Sequence, residues 1–461
     1  RRRRGAAAAM LLLACLVILP VTWHNVRACG RLVWISANGG INFFIGNNPD
    51  MHRTVPLRPG PEWRRMNDLP LREAGLVHPA ERDRWFYREG LRFWRESPGV
   101  ALRHTFEKGM RLLHNHESMR DFDFYYFAQH YSRLLRLPRW NFALLLALAL
   151  VGIAWGRNAR DTGRVLQLFL LSYAAGIVLF FVSSRYRAPL LPALAVFAAA
   201  GSVWLWRTAR QRAWRPLLGA CAAACLTFTL SSIDWFGAAE IDEVQALYRV
   251  GSAHQKRGDC DAALSAFEEA LRLNPAHALA AARAAACEQQ MGRVQAAVRR
   301  YEAVIAVHPD YVEPMVNLAN IAWQHGDTAT AAHYFELAIR ADPWFAQGYA
   351  YYGLFMFAQG EPVRAVALLQ RALQYDPGWE ALRVDLARAL VAAERPRDAL
   401  EELQRARSVM PPSDASELVR GDALARLGRD TEARAAWEAG LRLNPTNLEL
   451  QQRLRPRPGG R

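Results

Sequence analysis

Two arginines flank a tyrosine in a short segment between two long apolar stretches. Arg185, Tyr186 and Arg187 lie between the stretches 165–183 and 189–206. The planar guanidinium group of arginine can donate two parallel hydrogen bonds to a phosphate, whereas lysine acts as a point charge. If both stretches cross a membrane, this loop lies at the level of the lipid head groups. The three residues are therefore predicted to bind a phosphate. The alternative is that both arginines only extend to the membrane surface.

Glycines and asparagines cluster in a second polar segment, NGGINFFIGNNP at 38–49. Glycine permits positive φ and close backbone approach, which is typical of a tight turn against a ligand or a neighbouring helix. Amide groups and exposed backbone also hydrogen-bond hydroxyl groups well. The residues predicted to face a ligand rich in hydroxyl groups are Asn38, Gly39, Gly40, Asn47 and Asn48. A turn with a purely structural role is the alternative.

The candidate metal ligands are His114, His116 and Glu117, to which Asp121 and Asp123 could add carboxylates, but their spacing is unfavourable. His114 and His116 stand two apart and do not share a helix face, so the i,i+4 arrangement of two ligands is missing. The six cysteines include no CxxC pair and no cluster with histidine at zinc spacing. No metal site or redox role is predicted, and no cofactor, although the sequence does not exclude a divalent metal.

The elements that would position these residues are five apolar stretches of about the length that crosses a bilayer. They are residues 6–23, 140–156, 165–183, 189–206 and 216–235. Arginines are concentrated before the first stretch and in the connections after the second and the fourth, which the positive-inside rule assigns to the cytoplasm. The long segment 24–139, the 184–188 loop and all residues after 235 are then predicted on the outer face. The first stretch could instead be a cleaved signal peptide, and the chain could be the tail of a longer protein.

Charge separates the two halves of the chain. Residues 1–239 carry 32 Arg and Lys against 14 Asp and Glu, whereas residues 240–447 carry 22 against 28. The basic excess therefore lies beside the apolar stretches, which favours a lipid head group or lipid phosphate as the anionic partner. No nucleic-acid-binding motif accompanies it, so no nucleic acid is predicted as a partner.

Six copies of one 34-residue pattern run without a gap through residues 244–447. Each copy has a small residue at its twentieth position, a bulky residue at its twenty-fourth and a proline at its thirty-second, as Ala263, Phe267 and Pro275 show for the first copy. This is the spacing of tetratricopeptide repeats, which stack into an α-solenoid with a concave surface for a protein or peptide partner. Residues 448–454 are predicted to form a capping helix before a basic tail at 455–461, and Tyr351 is predicted to face the groove.

The first half also resembles a known family. The segments SANGGINFFIGNNP (36–49), WFYREGLRFWRESPGVAL (85–102), FEKGMRLLHNHE (106–117) and FVSSRYRAPLLPALAVFAAAG (181–201) follow one another in the order found in bacterial C-type membrane glycosyltransferases. These enzymes are of the dolichyl-phosphate-mannose protein mannosyltransferase and aminoarabinose transferase kind, and many of them carry C-terminal tetratricopeptide repeats. The resemblance covers about residues 6–235.

The resemblance implies transfer of a sugar from a polyprenyl-phosphate donor to an acceptor on the outer face of the membrane. It places Arg185, Tyr186 and Arg187 beside the donor phosphate. It also implies a sugar or acceptor pocket that involves the glycines and asparagines of 38–48 together with Glu117, for which pairing with an arginine is the alternative. The family's catalytic acidic residue lies in its first outer loop, and no acidic residue of this sequence matches it. The catalytic residue is therefore unknown.

These observations predict an all-α protein: a multi-pass transmembrane bundle in residues 1–239, followed by an α-solenoid with its capping helix in 240–454. The expected function is that of the C-terminal part of a lipid-phosphate-dependent glycosyltransferase in the bacterial inner membrane, with the repeats on the periplasmic side. The alternative is a non-catalytic, membrane-anchored scaffold. The sequence identifies neither the sugar, the acceptor nor the protein partner.

Overall fold

A computed structural model describes residues 15–27, 30–33, 35–57, 60–116, 124–131, 141–156, 162–236 and 242–455. Within these ranges every regular element is a helix and no strand is found. The all-α prediction is therefore confirmed. Glu117, Asp121, Asp123 and the arginine clusters at 1–4 and 157–160 lie outside the described residues.

The chain divides into two compact units. The first unit comprises residues up to 70 and 78–250, and the second comprises 71–77 and the residues from 251 onward. The helices up to residue 236 are α1 (residues 15–27), α2 (Gly39–Gly46), α3 (Met51–Thr54), α4 (Pro61–Asn67), α5 (Leu69–Ala74), α6 (Pro79–Glu96), α7 (Pro98–Leu113), α8 (Phe124–His130), α9 (Phe142–Trp155), α10 (Thr162–Leu179), α11 (Ser184–Arg187), α12 (Leu190–Arg210) and α13 (Trp214–Ser232).

The segment predicted as a turn at 38–49 is instead a helix, α2, that packs against α6. Its glycines serve close approach rather than positive φ: a Cβ atom on Gly40 would lie 1.9 Å from the backbone oxygen of Asp83. The amide of Gly40 donates to Oδ1 of Asp83 at 2.6 Å. Since only glycine fits at this contact, the composition that indicated a turn follows from helix packing.

One described helix, α12, is both long enough and apolar enough to cross a membrane. The helices Phe142–Trp155 and Gly163–Leu179 are apolar but shorter. Around α12, Leu146, Ile177 and Phe197 belong to one buried apolar cluster that joins α9, α10 and α12. The predicted multi-pass bundle is thus not established by these helices and stays a prediction.

The repeat region consists of paired helices of twelve to fourteen residues and one short terminal helix. They are α14 (Glu243–Lys256), α15 (Cys260–Leu273), α16 (Ala278–Gln290), α17 (Val294–Val307), α18 (Glu313–Gln324), α19 (Thr328–Ala341), α20 (Ala346–Ala358), α21 (Pro362–Tyr375), α22 (Glu380–Ala392), α23 (Pro396–Arg407), α24 (Asp414–Arg426), α25 (Asp430–Leu443) and α26 (Leu448–Leu454). Even-numbered helices from α14 to α24 are the first helices of their repeats, and odd-numbered ones from α15 to α25 are the second.

The small and bulky positions of the pattern form the core between the helices. All six alanines at the twentieth position are fully buried, as are Phe267, Tyr301, Phe335 and Leu369 at the twenty-fourth. A Cβ atom on Gly353 would meet the Leu369 side chain at 2.9 Å, so the bulky residue packs directly on the first helix. These contacts explain why the two residue types recur at a fixed spacing.

Each second helix has already ended before the proline at the thirty-second position. The missing N–H group of proline is therefore not what ends it. In the first repeat α15 ends at Leu273, two residues before Pro275, and the intervening Asn274 is extended with φ −138° and ψ 91°. Asp342 and Asn444 have nearly the same angles in the third and sixth repeats. Because a residue that precedes proline is disfavoured in the helical region, the proline of these three repeats ends the helix through its neighbour.

Candidate functional site

The first helices of the repeats form the inner side of the solenoid. Consecutive first helices pack against one another in the third to sixth repeats, where α18 contacts α20, α20 contacts α22 and α22 contacts α24. The principal helix contacts within the described residues include no pair of second helices. Helices that are closer together lie on the inside of a curved stack, so the concave surface belongs to the first helices.

One stripe of each first helix contributes few fully buried side chains. The third, seventh and eighth positions face the core, whereas the second, sixth, ninth and thirteenth are mostly half-buried or exposed. Their spacing of four, three and four residues places them on one helix face. The central two positions of this stripe, the sixth and the ninth, are called the groove face here. They are Arg249, Arg283, Asn317, Tyr351, Asp385 and Val419 at the sixth position, and Ser252, Ala286, Asn320, Leu354, Arg388 and Asp422 at the ninth.

Charge and apolar character change along the groove face. Arginine occupies the sixth position in the first two repeats, the third repeat presents two asparagines, and the fourth presents Tyr351 and Leu354. Tyr351 is 38% exposed, in agreement with its predicted position in the groove. Burial raises the pKa of the Asp385 carboxyl, and nearby Arg388 opposes that shift. The surface is thus basic at its start, polar and aromatic at its centre, and mixed in charge towards its end.

Asn317 contacts a buried residue of the preceding repeat. Its side-chain amide donates to the hydroxyl oxygen of Tyr301 at 3.1 Å, and Tyr301 is fully buried. Burial raises the pKa of the Tyr301 hydroxyl to about 12, so this group stays protonated at neutral pH. The Asn317 amide is therefore held by a buried, neutral hydroxyl group.

The two arginines predicted to bind a phosphate have different surroundings. Arg187 is only 4% exposed, and its guanidinium donates to the backbone oxygens of Leu112 at 3.4 Å and His114 at 2.5 Å. These carbonyls end helix α7, whose last turn has no intrahelical partners for them. Arg185 is exposed and lies against the ring of Tyr186, 4.9 Å from its centroid. Arg187 is therefore held by buried carbonyls, whereas Arg185 is exposed and donates to the Tyr186 hydroxyl, and the phosphate role of both stays a prediction.

The asparagines predicted to line a sugar pocket are bonded within the first unit. The Asn47 amide donates to the backbone oxygens of Phe43 and Leu179, each at 2.8 Å. The Asn48 amide donates to Phe44 and Thr54, and both asparagines are 2% exposed. Asn38, by contrast, lines a cavity of about 180 Å³ next to Asp83. Asn47 and Asn48 therefore tie α2 to its neighbours, and no contact with Asn38 joins them in one pocket among the described residues.

Lysine 108 is a buried group that sequence reasoning missed. Its ammonium nitrogen donates to the backbone oxygens of Gly46 at 2.9 Å and Phe180 at 3.2 Å, and to Oδ1 of Asn47 at 3.3 Å. Burial lowers the pKa of Lys108 to about 8. Next to it, the carboxylate of Glu107 pairs with His52 and Arg103 at 3.3 and 3.1 Å. In the segment FEKGMRLLHNHE the sequence pointed to His114, His116 and Glu117 but not to Lys108, because a lysine on an amphipathic helix is usually exposed.

No group of three or more His, Cys, Asp or Glu side chains within the described ranges is arranged to hold a metal ion. His114 and His116 have ring centroids 6.4 Å apart.

Comparison with known proteins identifies the second unit. Two family models, each described as a tetratricopeptide repeat, match this chain. The first matches residues 255–313 and 356–420. The second matches residues 288–343 and 316–378. The second unit contains tetratricopeptide repeats. The repeat prediction is confirmed, whereas no match supports a mannosyltransferase-like membrane domain. A search of curated proteins finds no relative.

Solved structures resemble the tetratricopeptide repeats. PilF of Pseudomonas aeruginosa is 17% identical and covers 46% of this chain and 96% of its own, with a TM-score of 0.41. PilW, described as a widely conserved type IV pilus biogenesis factor, is 22% identical over 47% of this chain and 100% of its own, with a TM-score of 0.41. YrrB, described as having an unusual peptide-binding site, is 16% identical over 40% and 96%, with a TM-score of 0.36. At these scores nothing about their partners is transferred to this chain.

Proposed function

We propose that this protein is a membrane-anchored scaffold without catalytic activity of its own, whose tetratricopeptide repeats bind a partner protein. The observation that carries the proposal is the groove face, whose side chains in the stacked repeats of the second unit are, apart from Val419, not fully buried in the core. Side chains that the core does not need are the ones a partner can contact.

The composition of the groove face indicates the type of partner segment. Arg283 favours an acidic residue or a terminal carboxylate opposite the second repeat. Asn317 and Asn320 can hydrogen-bond the backbone of an extended chain, since an amide offers both donors and acceptors. Tyr351 offers a large, partly exposed ring for an apolar side chain. The expected partner segment is extended, acidic at one end and apolar at its centre.

Membrane attachment is proposed from the surface of the first unit. Of 39 large apolar side chains that are exposed in the described residues, 32 belong to the first unit and 7 to the second. A protein surrounded by water rarely exposes so many apolar groups, whereas lipid would cover them. Helix α12 is the first candidate for the anchor. A multi-pass arrangement with the repeats on the periplasmic side of a bacterial inner membrane extends the same proposal.

Glycosyltransferase activity remains an untested prediction from the resemblance in the first half. Neither the matched families nor the similar structures support it. The buried contacts of Arg187, Asn47 and Asn48 give each of these residues a structural explanation that does not need a substrate. For this reason the lipid-linked sugar donor is not part of the proposed function.

Site-specific photo-crosslinking in cells of the source organism tests the scaffold proposal. A photoreactive amino acid replaces Tyr351 on the groove face or, as a control, Val363 on the second helix α21 of the same repeat, which is 71% exposed. We expect a defined crosslinked protein from position 351 and none from position 363. In the same assay Arg283→Glu should abolish crosslinking, whereas Arg299→Glu, an equal charge change on α17, should not. Equal crosslinking from positions 351 and 363, or the same effect of both charge reversals on crosslinking, would contradict binding in the groove.

A further inference from the structure

Two cysteines from neighbouring repeats lie against each other. Cys260 is the first residue of α15, and Cys287 lies in the last turn of α16, against which α15 packs. The Cys260 thiol donates to the side-chain oxygen of Gln290 at 2.9 Å. Gln290 is three residues after Cys287 and so shares its helix face. Cys260 also lies close enough to Cys287 to add to the effect of burial, which raises the pKa of the Cys287 thiol.

The surroundings of the two thiols differ. Cys287 is fully buried, whereas Cys260 is half-buried and open to solvent at the start of its helix. A reagent in solution therefore reaches Cys260 first. Cys221 and Cys225 are exposed and lie on α13 in the first unit, so they provide an internal comparison for thiol reactivity in the same chain.

We propose that Cys260 and Cys287 form a disulfide bond that joins the first repeat to the second. Cys260 contacts the face of α16 that carries Cys287, so the two side chains are neighbours, as a disulfide requires. A small-molecule disulfide such as oxidised glutathione, or the disulfide of a thiol oxidoreductase, supplies the oxidising equivalents. No metal ion or other cofactor takes part.

The reaction proceeds by two exchanges. The thiolate of Cys260 attacks one sulfur of the oxidant, whose S–S bond breaks and releases one thiol, which leaves a mixed disulfide on Cys260. Cys287 then loses its proton and its sulfur attacks the Cys260 sulfur, which releases the second thiol of the oxidant. Two protein thiols are oxidised, and one external disulfide is reduced to two thiols.

Burial makes the second exchange the slower one. It raises the pKa of the Cys287 thiol to about 12, so the thiolate fraction at neutral pH is very small. Because that fraction grows about tenfold with each unit of pH well below the pKa, the rate of disulfide closure is expected to grow in the same proportion between pH 7 and 9.

Mass spectrometry of the full-length protein tests the proposal. The purified, reduced protein is incubated with oxidised glutathione, quenched with acid, alkylated and digested with trypsin. We expect a linked pair of peptides, 258–272 and 284–293, while Cys221 and Cys225 react with glutathione or the alkylating reagent singly. Alkylation or separate glutathionylation of Cys260 and Cys287, without the linked peptides, would overturn the proposal.

Single variants separate this chemistry from loss of folding. In Cys287→Ala, Cys260 should accumulate as its glutathione mixed disulfide, because no second thiol resolves it. In Cys260→Ala, Cys287 should stay unmodified, because it is buried. If Cys260 in the Cys287→Ala variant were resolved as fast as in the unaltered protein, Cys287 would not be the resolving thiol.

Discussion

The residue at the fifteenth position of every repeat has a positive φ. It is glycine in five repeats and Glu394 in the fifth repeat. Glu394 has φ 57°, whereas Gly258, Gly292, Gly326, Gly360 and Gly428 at the same position have φ between 71° and 80°. A side chain in this region costs about 1 to 2 kcal/mol. The exposed ion pair of Glu394 with Arg426 offsets only a small part of this.

We therefore expect Glu394→Gly to stabilise the repeats by about 0.5 to 1 kcal/mol. Urea unfolding of a fragment covering residues 240–461 measures the change. Glu394→Ala keeps the unfavourable φ and removes the ion pair, so it should be neutral or slightly destabilising. If Gly and Ala at this position gave the same midpoint, backbone strain would not be the cause.

Arg185 and Arg187 are expected to differ when each is replaced by alanine. Arg187→Ala leaves buried carbonyls at the end of α7 without their donor, which costs about 1 to 3 kcal/mol. Arg185→Ala removes an exposed side chain and should change stability little. The aggregation temperature of the detergent-solubilised protein measures both.

A sugar-transfer assay on the same two variants addresses the phosphate prediction. A shared donor site requires that both variants lose activity, including the stable Arg185→Ala. Any transfer activity that survives in Arg185→Ala removes that residue from the donor site.

At the scale of the element, the terminal helix α26 rests on one leucine. Leu450 is fully buried and packs on Gly440 of α25, whereas Leu448 is 70% exposed. Leu450→Ala should cost about 2 to 4 kcal/mol in the 240–461 fragment, because it leaves a cavity beneath the helix. Leu448→Ala is the matched control and should change the unfolding free energy by less than about 0.5 kcal/mol. Equal effects of the two variants would mean that α26 does not cover the sixth repeat.

The elements differ in how well they could be predicted from the sequence. The repeats were predictable, because the fixed period places a small and a bulky residue in the core of each copy, as Ala263 and Phe267 show for the first. The 38–49 segment was not, because glycine favours turns and close helix contacts alike, and only the position of Asp83 decides between them. Lys108 was missed for a related reason: its three acceptors come from distant segments of the chain.

At the scale of the whole molecule, the membrane topology is a separate prediction. Cysteines introduced at Arg160 and Arg210, in a background without native cysteines, should be protected from an impermeant maleimide in intact cells. A cysteine at Val363 in the repeats should be labelled, since that position is exposed. Detergent lysis, after which all three react, is the control. Protection of position 363 in intact cells would place the repeats in the cytoplasm and reverse the proposed orientation.

The uniform 34-residue spacing has a consequence for how such a chain can change its length. Each repeat packs mainly on its immediate neighbours, and the second helix of one repeat meets the first helix of the next through the same positions throughout. Unequal recombination within the gene that adds or removes one whole unit therefore preserves every junction, while it moves Arg283 and Tyr351 closer together or further apart. Partner choice can thus be altered by a change in copy number, without a new fold and without a single point mutation.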